Sequence, residues 1–186
     1  PLSVSPDFTT CMVADFDERA GDYPAAITTL EAAIATNEAL LGGFTGSLHA
    51  RLGWVLLHDG QLDRAEATYQ RALDSARRVR HNMVIFQAQA GIAALHRLHG
   101  RDAAASEAAT ESLELYRAGG FPRFRNRVDP TADLRAAAAL CCEVLAVVAA
   151  ERGQLEQTST LLGQADALRI DTGADTPTVL QPDVIH

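Results

Sequence analysis

Apolar residues in this chain recur every three or four positions, in runs cut by glycines. From Leu52 to Ala76, LGWVLLHDGQLDRAEATYQRALDSA, the pattern predicts two helices joined by a tight turn. Leu52, Gly53 and Leu56 fall on one face of the first helix. Asp59-Gly60 ends it, because glycine adopts the left-handed conformation at little cost. Asp63 stands at the start of the second helix, where a carboxylate suits the exposed amides. Ala65, Tyr69, Ala72 and Ala76 then recur at helical spacing. Small residues at Gly53, Ala65 and Ala72 allow close helix approach, and Tyr69 is expected to fill the space between this pair and the next.

The pattern recurs when the turn glycine is the anchor. Gly21 is followed by Ala26, Leu30 and Ala33 at the offsets that Ala65, Tyr69 and Ala72 hold after Gly60. Gly100 is followed by Ala105, Ala109 and Ser112, and Gly153 by Thr158, Leu162 and Ala165. Seven residues before the four glycines stand Ala14, Gly53, Ala93 and Ala146, each preceded by a branched apolar residue: Val13, Leu52, Ile92 and Leu145. The chain thus divides into an irregular lead-in over 1–6, units over 7–41, 47–81, 82–117 and 129–171, an insert over 118–128, and a polar tail over 172–186. Gly42 to Ser47 is read as a connector. It lacks the Lys-Ser/Thr of a phosphate-binding loop and follows no strand.

These residues resemble the tetratricopeptide repeat (TPR), a helix-turn-helix unit of about 34 residues. The matching positions are Leu52-Gly53, Gly60, Ala65, Tyr69 and Ala72; no unit carries the proline that often closes such a repeat. The resemblance implies an all-α fold, a right-handed superhelix of about four repeats and about eight helices. It also implies a groove lined mainly by the first helix of each unit. Counting back from each glycine, the groove positions are Phe8, Cys11, Asp15, Glu18 and Arg19; Ser47, Ala50, Trp54, Leu57 and His58; Gln87, Ala90, Ala94, Arg97 and Leu98; and Leu140, Glu143, Val147, Ala150 and Glu151. The repeat length and the closing phrase Ala165, Leu168, Arg169 and Gly173 also resemble the carboxy-terminal repeat region of large bacterial transcriptional regulators of the LuxR/MalT or AfsR type. That resemblance implies a cytoplasmic bacterial protein, with ATPase and DNA-binding modules elsewhere in a longer polypeptide. The chain carries neither a Walker motif nor a basic helix-turn-helix.

Composition narrows the function. All 16 basic residues are arginine, and the net charge of −8 argues against a nucleic-acid surface over most of the chain. The sequence has no apolar run long enough to span a membrane and no signal peptide. Three cysteines, two adjacent at Cys141-Cys142, make no disulfide framework and read as buried reduced thiols.

Candidate chemistry is sparse. His96 and His99 lie one turn apart, but no Cys, Asp or Glu nearby completes a metal set. No nucleophile elbow or strand is evident, so no catalytic residue, metal or cofactor is expected. The expected role is a non-catalytic interaction module that takes a protein or peptide segment, a small inducer or a neighbouring domain of its own polypeptide. A scaffold that self-associates, for example as a homodimer, is the alternative. The candidate groove residues are Trp54, His58, Arg97, Glu18, Asp15 and Glu143. Trp54 is expected to anchor an apolar residue, with Arg97 orienting a carboxylate, although its spacing also suits burial between units. Arg123, Arg125 and Arg127, in a long basic insert, are a second candidate contact.

Overall fold

The computed structural model describes residues 6–41, 44–119 and 132–169. Eight helices account for nearly all of them: α1 (Pro6–Arg19), α2 (Tyr23–Leu41), α3 (Gly46–His58), α4 (Leu62–Val79), α5 (Asn82–Leu98), α6 (Asp102–Ala118), α7 (Ala132–Glu151) and α8 (Leu155–Arg169). The described residues contain no strand. The insert from Gly120 to Val128 and the tail beyond Arg169 lie outside the described residues, and with them Arg123, Arg125 and Arg127.

The four turns are built alike. Gly21, Gly60, Gly100 and Gly153 all take positive φ, between 69° and 76°. At each, the glycine N–H donates to the carbonyl three residues back, and the next N–H donates to the carbonyl five residues back, as Gly60 to Leu57 and Gln61 to Leu56. The residue after the glycine then accepts the first bond of the next helix: Asp22 from Ala26, Gln61 from Ala65, Arg101 from Ala105 and Gln154 from Thr158. Asp22 adds a side-chain cap, its Oδ1 accepting from the Ala25 N–H at 3.1 Å.

α4 ends in the same two bonds, Arg80 to Arg77 and His81 to Ala76, but here a non-glycine residue sits at φ 54°. A side chain in that conformation costs about 1–2 kcal/mol. Arg80→Gly relieves it, offset by the greater freedom of glycine in the unfolded chain. A net gain of about 0.5–1 kcal/mol is expected, read as a higher denaturation midpoint; a lower midpoint would show that the Arg80 side chain holds the turn.

The chain forms two compact units. In the first, which runs to Val84, α1 packs on α2, α2 on α3 and α3 on α4. Its core holds Ala14, Ala26, Leu30, Leu48, Leu56, Ala65, Tyr69 and Ala72. The Tyr69 ring lies on Gly53, so it fills the space within its own pair, and the charges that bear on its hydroxyl come from Arg51 and from Glu18 of α1. The expectation that Tyr69 looks toward the following pair is corrected accordingly.

In the second unit, from Ile85, α6 packs on α7 and α7 on α8. Ser112 is buried and its hydroxyl donates to the Phe86 carbonyl at 3.0 Å. Phe86 and Tyr116 rings meet at 5.3 Å. Val13 and Leu162 sit at repeat positions that are apolar in every unit, yet are 47% and 45% exposed. Both belong to the outermost pairs, where no described helix covers that side.

Candidate functional site

The first-helix face of the first unit gathers one polar and aromatic cluster. α1 presents Asp15 and Glu18, one turn apart. α3 presents Arg51, Trp54 and His58 along a single stripe. Arg51 pairs with both carboxylates. The indole N–H of Trp54 donates to Glu18 at 3.0 Å. His58 packs against Trp54 with ring centroids 4.5 Å apart, and Tyr23 stacks on the His58 ring at 6.4 Å. Trp54, His58 and Tyr23 are each half-buried. Partial burial, then the charges of Glu18 and Asp59, raise the Tyr23 phenol above its ordinary value, so it stays protonated and able to donate.

Four of the six groove candidates therefore lie together: Asp15, Glu18, Trp54 and His58. The indole faces Glu18 across the two first helices, with part of its surface open to solvent.

Arg97 and Glu143 belong to the second unit. Arg97 is paired with Asp102 and with Glu151 of α7, so carboxylates of the chain already engage the cation expected to orient a ligand carboxylate. Glu143 accepts both Arg169 Nε, at 2.8 Å, and Arg169 Nη2, at 2.9 Å. Such a fork joins α7 to α8 and fixes Glu143 in place. Arg169, noted in the sequence only as part of a closing phrase, is thus a clasp of the last helix pair.

Several counted groove positions are buried. Ala50, Leu57, Ala90, Ala94 and Leu140 are at most 5% exposed and belong to the core. Counting from the turn glycine gives a residue's angle on its helix but not how wide the open strip is. Phe8 and Cys11 lie outside the described side chains.

No metal site is assembled: among the described residues no three His, Cys, Asp or Glu side chains converge. Cys141 and Cys142 are free and buried. Burial pushes the Cys141 thiol up to about 12 from an ordinary 9, partly opposed by a hydrogen bond with Ser112. A raised value means that the folded chain holds the proton more tightly than the unfolded chain. The stability this adds is whole below pH 9 and is lost as pH rises through the interval toward 12. At pH 8, modification of Cys141 by a disulfide reagent should follow unfolding only, with a rate that climbs with denaturant. Fast reaction of the native protein at this thiol would contradict the burial.

No helix among the described residues is long and apolar enough to cross a membrane.

The tetratricopeptide repeat model matches residues 9–78 and 44–118, together more than half of the chain. The chain belongs to the tetratricopeptide repeat family. Among solved structures it is similar to BtubC (BKLC) from P. vanneervenii, with a TM-score of 0.62 and 16% identity over 96% of this chain and 70% of that one. At that identity the likeness concerns the fold. No curated protein matches the chain in sequence. Repeats of this family generally mediate protein–protein interaction.

Proposed function

We propose that the chain is the interaction and regulatory module of a larger bacterial transcriptional regulator, binding a protein segment or a neighbouring domain on its first-helix face. The observation that carries the binding role is Trp54. A rigid aromatic with exposed surface, held by a defined hydrogen bond to Glu18, is the kind of residue that dominates interface energies. Asp15, Glu18 and His58 stand around it as polar orienting groups. The regulator context rests on the resemblance of the closing repeat, and Arg123, Arg125 and Arg127 are proposed as a separate contact. The module is proposed to act in the cytoplasm without catalysis or cofactor.

Two observations test this. The complete reading frame should encode a nucleotide-binding or DNA-reading module beside the repeats; a frame with neither overturns the regulator context. Acrylamide should quench Trp54 fluorescence in the free chain and do so less when the neighbouring module is joined to it. Quenching that is unchanged by that module removes it as the occupant.

A second reading, self-association, is favoured by the last helix. Leu155 is 74% exposed and Leu162 45%, two turns apart on one face of α8. Sedimentation equilibrium distinguishes the two: a monomer at micromolar concentration rejects the scaffold.

A further inference from the structure

Charge is distributed unevenly along the chain. Residues 6–41 hold seven Asp or Glu and a single Arg, a net of −6 against −8 for the whole sequence. The first helix pair therefore accounts for most of the net negative charge. The Trp54 cluster joins α3 to this pair and has the same sign, with Asp15, Glu18 and Asp59 against Arg51. Phe16, 71% exposed, and Val13, 47% exposed, lie on the other side of α1, away from the stripe that carries Asp15 and Glu18. Beneath the cluster lies Tyr69, fully buried, its hydroxyl without a hydrogen-bond partner and set near Arg51 and Glu18.

We infer that this face of the first unit docks a basic segment of a protein partner, rich in arginine or lysine. The inference rests on the protein-binding role proposed above and adds the partner's chemistry. A guanidinium or ammonium laid against Trp54 gains from the ring and from the net negative charge of the cluster, in which Asp15 and Glu18 share the single cation Arg51. An acidic segment meets a field of its own sign, as does a nucleic acid. The expectation of a ligand carboxylate drawn toward Arg97 is replaced, because that arginine is engaged by two carboxylates.

The test is calorimetric titration of the chain with two short synthetic peptides, identical in their leucine, serine and glycine positions but carrying arginine in one and glutamate in the other. The basic peptide should bind and shift the emission of Trp54, the only tryptophan. Its affinity should fall about tenfold in the Asp15→Asn, Asp59→Asn double variant, which circular dichroism should show to be folded. Glu31→Gln with Glu38→Gln, on α2, removes the same charge from elsewhere on the pair and should cost less than about threefold. Equal losses in the two double variants would mean diffuse attraction and would overturn docking at Trp54. Preference for the glutamate peptide overturns the partner's chemistry while leaving the protein-binding role standing. Failure of both peptides to bind overturns the inference and that role together.

Discussion

Tyr69→Ala is expected to lower the unfolding free energy by about 3–5 kcal/mol, the range for removing a core aromatic side chain. The ring is 1% exposed and lies against Gly53, a position with no side chain of its own to fill the space it leaves. Tyr69→Phe separates ring from hydroxyl. The hydroxyl is buried without a partner, and a buried polar group left unpaired costs about 1–3 kcal/mol. Burial also drives the phenol's ionisation above its ordinary range, so the group is neutral at any working pH. Removing it should therefore be neutral or slightly stabilising, while removing the ring should be severe. Urea denaturation of the two variants reads both effects. If Tyr69→Phe lost more than about 1 kcal/mol, the hydroxyl would have to be hydrogen-bonded in the folded protein. If Tyr69→Ala lost less than that, the ring would not be the filler of this pair.

The repeat was legible in the sequence because its signals are local. A turn that needs positive φ selects glycine at one position, and four glycines fall at matching places in four such turns. The small residues Ala14, Gly53, Ala93 and Ala146 are all buried, as close helix approach requires. Charge partners were not legible. Arg51 meets Glu18 across 33 positions, Arg97 meets Glu151 across 54, and Arg169 meets Glu143 across 26. Nothing in local spacing chooses among the many carboxylates that each arginine could reach. The exposure of Leu162 and Val13 was not legible for a different reason. An apolar residue on an outer pair has the same sequence neighbours as one in the middle, and its burial depends on a helix from another repeat. The concentration of acids on the first pair could have been counted from the sequence. A net charge averaged over the whole chain conceals it.

The same substitution at two glycines should have opposite signs. Gly53 and Gly163 both lie inside helices, α3 and α8. In an open helix position Gly→Ala gains up to about 1 kcal/mol, because alanine loses less backbone freedom on folding. At Gly163 a Cβ meets nothing within 4 Å, so Gly163→Ala should stabilise the chain by about 0.5–1 kcal/mol. At Gly53 a Cβ would stand 2.8 Å from Tyr69 Cδ1 and Cε1 and 3.0 Å from Cγ. Ordinary carbon contact is about 3.5–4.0 Å, so the ring would have to shift by close to an ångström. The ring has no room to do so, being buried between packed helices. Overpacking of this kind costs about 1–3 kcal/mol and propagates into the backbone. Because the contact involves the rigid body of a ring rather than a flexible tip, the upper part of that range applies and outweighs the gain in propensity. Gly53→Ala should therefore destabilise by about 1–2 kcal/mol net. A double-mutant cycle gives the cause. Tyr69→Leu removes the ring that the new methyl meets, so the penalty of Gly53→Ala should shrink or change sign in that background. Additive losses in the cycle, measured by the denaturant midpoints of the four proteins, would mean that Gly53 and Tyr69 do not share the contact on which the α3–α4 pair is built.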